Sequence, residues 1–444
     1  MIAKRNRWSL LWIGTIVLLW AFPAAALPSY AVRSVSECNT CHIEPSGWKN
    51  PDLSERRCTL ECQSCHLSPA GGGLRVPDGR FFGTEVLPIF GERPSASADP
   101  EKYRPEGHPE KGQYSLWEGF SGWWPGEIPH REIADRYGSI EPDPEWMFGG
   151  DFRAAVLHQR AAENNTYVFP MQADFYVANE SVDDLRTYLN LGLQGAKDTD
   201  RYSDMEALDY LVIRELFAQL RLPYNSSVRA GRLIPRYGWR TPDHTAFVRE
   251  DLGMNQNFHA LGVEGLYNPN YLYADLSLYR QGVEFWPGDQ QTPGWGSTFN
   301  LGFRDLGYHV GLSGNVVGRE DGLIWASGLQ WALNLAPLTY LGQLDFRQAR
   351  YDGKEAQNGL VAHHEWTAPV VTGVLGRLQY DWSDLDIDVR DDHRHRITLA
   401  VDVHPYTYVH LQLAGRLNWK GVNPIASFGD RQSTEVLLMS HLWF

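Results

Sequence analysis

Two short motifs near the start of the chain combine the residue types that attach a haem covalently. Each motif has the form Cys-x-x-Cys-His, with Cys38, Cys41 and His42 in the first copy and Cys62, Cys65 and His66 in the second. The two thiols of a motif form thioethers with the haem vinyl groups, and the histidine that follows binds the iron as its proximal ligand. The two copies therefore predict two c-type haems.

Two other chemistries fit the cysteine pairs alone. The pairs are about twenty residues apart, which is also the spacing of a zinc ribbon, and in an oxidising compartment four cysteines can form two disulfides. Neither alternative accounts for a histidine after the second cysteine of both pairs, so haem attachment is favoured. The remaining cysteine, Cys58, is either a free thiol or a transient partner during maturation.

Each haem iron has a second axial position, for which the sequence offers few candidates. His108 and His130 are the histidines between the motifs and the strand-rich region, and Met147 is the first methionine after the motifs. A distal histidine gives a low reduction potential, whereas a methionine raises it. We take these three residues as candidate distal ligands; ordinary exposed side chains or an open iron site are the alternatives.

Other charged clusters lie later in the chain. Residues 235–257 contain Arg236, Arg240, Asp243, His244, Arg249, Glu250 and Asp251. Residues 283–297, residues 363–365 (His-His-Glu) and residues 391–395 (Asp-Asp-His-Arg-His) are also predicted to lie in loops or at loop tips. Solvated ion pairs are the favoured interpretation of these charges. Binding of a metal ion or an anionic solute by the first cluster, and collection of Fe(II) by the histidine-rich ones, are alternatives.

The first residues have the pattern of an export signal. The basic residues Lys4, Arg5 and Arg7 precede an apolar run, and the small residues 24–26 follow it. This pattern predicts a secretory signal peptide over residues 1–26, with an uncleaved membrane anchor as the alternative. It places the haem motifs outside the cytoplasm.

The composition narrows the class of protein. The formal net charge is −14, and Phe, Trp and Tyr make up 13% of the residues. A polar chain this rich in aromatic residues is typical of an outer-membrane barrel, which has a polar interior and aromatic girdles. The acidic balance argues against nucleic acid as a partner.

Alternating segments fill the C-terminal part of the chain. Ile397, Leu399, Val401 and Val403 alternate with polar or small residues, and Val409, Leu411 and Leu413 do the same. An alternation of period two is the signature of a strand. We predict a mainly β protein with an antiparallel barrel of about sixteen strands. The last residue, Phe444, is aromatic and ends a closing strand, as expected for a barrel that is assembled in the bacterial outer membrane.

The predicted organisation has four parts. Residues 1–26 are the signal peptide, residues 27–90 a small dihaem cytochrome c segment, residues 91–145 an irregular connector or plug rich in Pro and Gly, and residues 146–444 the transmembrane barrel. An even number of strands puts both ends of the barrel on the same side of the membrane, which by the usual topology is the periplasmic side.

The motifs, the strand-rich region and the terminal Phe444 together resemble the fused outer-membrane cytochrome–porins. The run of residues 65–75 (Cys-His-Leu-Ser-Pro-Ala-Gly-Gly-Gly-Leu-Arg) also resembles haem-binding segments in exported proteins of iron- and metal-respiring bacteria. The resemblance implies electron transfer across the outer membrane, between periplasmic cytochromes or other carriers and an extracellular metal or other donor or acceptor. Some members of that group are implicated in Fe(II) oxidation. They carry one motif where this chain has two, so the substrate stays open.

Three functions follow from these expectations. The first is electron transfer through haems in the barrel or at its mouth. The second is a solute or ion porin whose haem segment senses redox state. The third is a barrel that sheathes a separate multihaem cytochrome.

Overall fold

The structure of the protein is a computed structural model. It describes residues 66–68, 72–76, 79 and 89–90 and, from residue 145 to the end, all residues except 162–163, 194–210, 225, 256–257, 269–270, 284–291, 305–306, 336, 372, 407 and 422–431.

Sixteen strands and one short helix are present in this part of the chain. The strands are β1 (Trp146–Arg160), β2 (Asn164–Val182), β3 (Leu185–Leu193), β4 (Leu211–Leu222), β5 (Ser226–Leu233), β6 (Ala260–Tyr267), β7 (Leu272–Gln281), β8 (Gly294–Arg304), β9 (Tyr308–Arg319), β10 (Gly322–Leu335), β11 (Leu338–Tyr351), β12 (Gln357–Val371), β13 (Val374–Asp384), β14 (Arg394–Tyr406), β15 (Val409–Lys420) and β16 (Gln432–Trp443). The helix, α1 (Phe247–Glu250), lies between β5 and β6.

The strands form a closed antiparallel barrel, which confirms the predicted fold class. Each strand pairs with its neighbours in the chain, and β1 closes on β16 with a register that runs from Asp151 opposite Trp443 to Arg160 opposite Thr434. Phe444 extends this closure, because its amide and carbonyl exchange hydrogen bonds of 3.1 and 3.3 Å with Gly150. Closure leaves no open sheet edge, as a hydrocarbon environment requires.

The two ends of the barrel differ in the length of their connections. One end carries short turns, such as those from β2 to β3 and from β12 to β13, together with both ends of the barrel sequence. The other end carries the longer connections over residues 194–210, 234–259 and 282–293. Short turns are periplasmic and long loops are extracellular in barrels of this kind, which orients the chain.

The alternation in sequence corresponds to two chemically different faces. Outward side chains are apolar and exposed, as for Leu278 (63%), Leu399 (65%) and Leu413 (53%). Inward side chains are largely polar and buried, as for Glu264, Gln343 and Gln379. An apolar outer wall beside a polar interior is the arrangement expected in lipid. No helix in the described part of the chain is long and apolar enough to cross a membrane.

The prediction of loop tips is wrong for two segments. His363, His364 and Glu365 lie in the middle of β12, where alternation sends His363 and Glu365 into the lumen and His364 outward. The predicted loop over residues 283–297 also extends too far, because residues 294–297 belong to β8, which begins at Gly294. The error in β12 has a physical cause, because a strand that lines a polar lumen carries polar residues at its inward positions. In residues 391–395, Asp391 and Asp392 do lie in a turn, and β14 begins at Arg394.

Candidate functional site in the lumen

The structure describes only part of the predicted haem machinery. Of the residues in the two motifs, His66 is described. The remaining motif residues and two of the candidate distal ligands lie outside the described residues: Cys38, Cys41, His42, Cys62, Cys65, His108 and His130. The predicted signal peptide and residues 91–144 of the predicted connector also lie outside the described residues. The third candidate ligand, Met147, is described and lies near the start of β1.

The described residues that follow the second motif pair with one another as two short antiparallel segments. His66 and Arg75 make an antiparallel bridge, and the Leu67 amide donates to the Leu74 carbonyl over 2.9 Å. Gly72 and Gly73 have φ angles of 70° and 64°, a conformation that costs little only for glycine. We call the two described segments, residues 66–68 and 72–76, the lumen hairpin.

The lumen hairpin packs against the inner wall of the barrel. Its apolar side chains Leu67, Leu74 and Val76 are buried in one cluster with inward side chains of β1–β4, namely Met147, Tyr176, Ala178, Tyr188 and Phe217. Burial of each hairpin side chain contributes about 1.5–3 kcal/mol before entropy losses. An apolar patch on the inner wall of a polar lumen therefore has a structural purpose, which is to hold this hairpin.

Polar contacts fix the hairpin on the β1 and β16 side. The Arg75 guanidinium carbon lies 5.2 Å from the centre of the Trp443 ring. Near it, Asp151 accepts a hydrogen bond from the Tyr176 hydroxyl at 2.7 Å and lies 2.8 Å from Nε2 of His441. These contacts set the hairpin among titratable groups of the lumen wall.

The chain reaches the periplasmic rim at residues 89–90. The amide of Phe90 donates to the carbonyl of His404 over 2.6 Å, near the end of β14. Ile89 is buried and Phe90 is exposed. The described residues between 66 and 90 thus lie at both the inner wall and the periplasmic rim.

Three inward histidines lie at this rim, and sequence reasoning missed them. The rings of His404 and His410 stack with centres 4.8 Å apart, and those of His410 and His441 are 6.2 Å apart. Their places on separate strands made them look unrelated in the sequence, although the alternation of β14, β15 and β16 sends all three inward.

A second insert enters from the extracellular side. We call residues 234–259, between β5 and β6, the cross-lumen loop; it is described except for residues 256–257. The Tyr237 hydroxyl donates to Oδ1 of Asp345 over 2.6 Å, and the Trp239 amide donates to Oε1 of Gln343 over 2.7 Å. Both partners lie on β11, so the loop leaves its own strands and crosses to the far wall.

The far end of the cross-lumen loop is held by arginines of β14 and β15. Asp243 lies 2.9 Å from Nη2 of Arg416, and Asp251 pairs with Arg394. The Phe247 ring of α1 lies under Arg394 and Arg396, with each guanidinium carbon 4.7 Å from the ring centre. Asp243 and Asp251, which were predicted to form solvated ion pairs, therefore do form ion pairs, but these are largely buried against the barrel wall.

Neighbouring charges and hydrogen bonds explain why side chains of the cross-lumen loop stay ionised although they are buried. Burial alone would raise the pKa of Asp243, but Arg416 and Arg396 hold that pKa below its ordinary value. Burial lowers the pKa of Arg249 to about 9, and its Nη1 donates to the Thr241 carbonyl over 2.7 Å. Both groups are thus charged at neutral pH.

The loop does not form the metal site that was considered for it. Burial lowers the pKa of His244, so its ring is neutral at pH 7. Among the described residues, no group of three or more His, Cys, Asp or Glu side chains is arranged to hold a metal ion.

The two inserts approach each other at Glu215 on β4. The Ser68 hydroxyl of the lumen hairpin donates to Oε1 of Glu215 over 3.3 Å. Glu215 also lies 3.6 Å from Nη1 of Arg229, and Arg240 of the cross-lumen loop is close enough for its charge to act on Glu215. A single buried carboxylate therefore lies between the hairpin and the loop.

The surroundings of His66 fit an iron ligand. Burial and, to a lesser extent, Arg75 lower the pKa of His66 to about 4, so the ring is neutral. Its buried Nδ1 meets no hydrogen-bond partner in good geometry among the described residues, although the backbone of Gly72 and Gly73 lies close to the ring. A neutral imidazole is the form that binds a metal. The residues present are thus compatible with a haem held by the second motif.

Comparison of the sequence with known proteins gives no relative. No family model matches the chain, and no curated protein sequence matches it.

Comparison of the structure gives porins. An anion-selective porin from Comamonas acidovorans is 12% identical, with a TM-score of 0.53 over 67% of this chain and 99% of that one. OmpT of Vibrio cholerae is 8% identical, with a TM-score of 0.50 over 69% and 100%. OprB of Pseudomonas putida is 9% identical, with a TM-score of 0.50 over 71% and 96%.

At these identities the likeness is one of fold alone. The chain therefore has the closed sixteen-strand fold of outer-membrane porins. The apolar outer wall and the closed sheet of the described strands fit a lipid environment. The protein accordingly lies in the bacterial outer membrane.

Proposed function

We propose that this protein transfers electrons across the outer membrane through two c-type haems, one of which lies inside the barrel. The observation that carries the proposal is the position of His66. It is the last residue of the second motif, and it begins a hairpin that is packed into the lumen. A haem attached at Cys62 and Cys65 would therefore also lie inside the barrel.

Distance is the physical reason why this position matters. The apolar band of a barrel of this class is about 25 Å tall. Haems confined to the periplasmic side would leave most of that distance without a carrier. A haem held by the lumen hairpin shortens the gap from inside the wall. In this proposal the first motif serves as the entry point on the periplasmic side.

The chain's own residues supply position and insulation. The haem iron would provide the one-electron chemistry, as cofactors do in such proteins. His66 would bind the iron, while Leu67, Leu74 and Phe217 keep water from the hairpin side of the site. Met147 belongs to the same cluster and stays a candidate distal ligand. The cross-lumen loop narrows the lumen from the opposite side.

Proteoliposomes test this function directly. A dye acceptor is trapped inside, and a donor that cannot cross the membrane is added outside. Wild type should reduce the dye, and Cys65→Ala should reduce it far more slowly because the second haem is lost. Cys58→Ala is the matched control and should behave as wild type.

A pyridine haemochrome assay on the same preparations checks the cofactor. Two haems per wild-type chain and one in Cys65→Ala or Cys41→Ala are expected. A wild-type chain without haem, or dye reduction that does not depend on Cys65, would refute the proposal. Conduction that begins only after a multihaem cytochrome is added would favour the sheath function instead.

A second candidate function is a solute or ion porin whose haem segment senses redox state. It is supported by the fold of the structural neighbours and by the charged lumen wall, with Arg377, Asp381 and Glu365 among its buried inward residues. The same proteoliposomes separate the two functions. Rapid efflux of small solutes without dye reduction would favour the porin.

The proposed partners follow from the conduit. They are outer-membrane lipid, a periplasmic cytochrome or other carrier on one side, and an extracellular metal or other donor or acceptor on the other. An Fe(II) oxidase-type activity belongs to this proposal only if electrons flow inward.

A further inference from the structure

No described carboxylate forms an ion pair with Arg240 of the cross-lumen loop, although the charge of Glu215 acts on it. Its Nη1 is shielded from solvent and has no hydrogen-bond partner there. The carboxylates nearby are already engaged. Glu264 lies 2.5 Å from Arg229, Glu215 interacts with Ser68 and Arg229, and Asp174 lies 2.8 Å from Arg214.

His259, at the other end of the same loop, has unmet hydrogen-bonding capacity as well. It is 3% exposed, and neither of its ring nitrogens has a partner among the described residues. The charges of Arg214, Arg232 and Arg240 all act on it. An imidazole among arginines stays neutral and presents one N–H donor.

These groups share a preference for one kind of partner. A guanidinium removed from water is strongly destabilised unless an anion lies beside it. A carboxylate matches the planar fork of arginine with two parallel hydrogen bonds and can also accept from an imidazole N–H. The described part of the chain does not supply a free carboxylate at this place.

We propose that Arg240 and His259 form a site for a carboxylate in the lumen. Two sources share this chemistry: a propionate of the haem on the second motif, or a free carboxylate solute. The contact of Ser68 with Glu215 sets the lumen hairpin beside Arg240, which favours the propionate. In that form the inference rests on the proposed function, because it requires the haem.

Redox titration of the haem-loaded protein tests the propionate source. A positive charge beside a haem carboxylate favours the reduced iron, because reduction lowers the charge of the iron by one. Arg240→Gln should therefore lower the midpoint potential of one haem. Arg240→Lys keeps the charge and should preserve most of the potential. Arg350→Gln, at an exposed arginine on β11, is the matched control and should leave the potential unchanged.

Conductance of a haem-free chain tests the other source. With all four motif cysteines replaced by serine, the current in planar bilayers is measured while succinate is added. Succinate should reduce the current, and Arg240→Gln should weaken this block by roughly tenfold or more. Arg350→Gln should not change it.

The outcomes separate the sources from each other and from the function. A lower potential in Arg240→Gln alone supports the propionate. An unchanged potential with a lost succinate block supports a free solute at the same site. If neither measurement responds to Arg240, the site does not exist. A wild-type chain without haem refutes the proposed function, and the succinate block then decides the site by itself.

Discussion

Two adjacent glycines in the lumen hairpin face very different surroundings. Both have a positive φ, so any other residue is strained at either place. A Cβ on Gly72 would meet no atom within 4 Å, whereas a Cβ on Gly73 would lie 2.7 Å from the Tyr188 hydroxyl. Substitutions at Gly72 and Gly73 can therefore test how the lumen hairpin packs against Tyr188 without changing the haem motif.

Gly73→Ala should displace the hairpin more than Gly72→Ala does. Both variants carry a backbone cost of about 1–2 kcal/mol, and Gly73→Ala adds overpacking of about 1–3 kcal/mol. We expect a higher single-channel conductance in Gly73→Ala than in Gly72→Ala. Adding Tyr188→Phe should restore the lower value, since it removes the clashing oxygen. Equal conductance in the two alanine variants would mean that the hairpin is not seated on Tyr188.

A second residue-scale feature lies on the lipid side. His364 points outward from the middle of β12, where an imidazole is costly in hydrocarbon. The Tyr340 hydroxyl lies 2.7 Å from its Nδ1, and the Trp366 ring stacks with centres 5.9 Å apart. The hydrogen bond and the neighbouring rings offset part of that cost.

Tyr340→Phe should therefore destabilise the barrel although it removes only one oxygen. Leaving the imidazole nitrogen unpaired in lipid costs about 1–3 kcal/mol. Urea unfolding in lipid vesicles measures the loss. Tyr167→Phe, at an exposed tyrosine near the start of β2, serves as the control. A free energy of unfolding equal to that of wild type would show that Tyr340 does not support His364.

At the scale of elements, the cross-lumen loop depends on the ion pair of Asp243 with Arg416. The pKa of Asp243 is held below its ordinary value of 3.8. A carboxyl group with a lowered pKa stabilises the docked loop at any pH above that ordinary value. Its contribution is lost as the pH falls towards the lowered value. The contribution of this ion pair to docking is therefore constant across the neutral and mildly acidic range.

Loss of the Asp243 pair should accordingly raise the conductance only below about pH 3.8, and the pair should add no pH dependence between neutral and mildly acidic pH. Asp243→Asn should give the raised conductance at every pH and abolish the acid step. Breaking a buried pair of this kind costs about 3–5 kcal/mol. Asp352→Asn, in an exposed turn, should leave the profile unchanged. If the conductance of Asp243→Asn still rose at acidic pH, contacts other than the Asp243 pair would hold the docked loop.

Alternation along the strands was sufficient to predict the barrel, because the outer wall is apolar in nearly every strand. It could not locate the hairpin, since alternation tells which way a side chain points and not what it touches. Met147, Ala178 and Phe217 are apolar residues at inward positions, and this departure from a polar lumen was the available signal. Arg240 was noticed as a charge, but its lack of a partner is visible only once the barrel is closed.

At the scale of the whole molecule, two inserts enter one barrel from opposite mouths. The lumen hairpin lies against β1–β4, and the cross-lumen loop lies against β11, β14 and β15. In the proposed conduit, the apolar cluster would hold the carrier within the wall and away from water.

The most direct test of the central claim is the distance from haem iron to each rim of the barrel. In a Cys58→Ser background, a nitroxide is attached at Asp183→Cys on a periplasmic turn or at Asp352→Cys on an extracellular turn. An iron in the lumen lies within the apolar band, about 25 Å tall, that separates the two rims. Ferric haem should therefore speed nitroxide relaxation at both sites, and Cys62→Ser with Cys65→Ser should abolish the effect at residue 352. An effect confined to residue 183 in the haem-loaded protein would place both haems below the barrel and contradict the account.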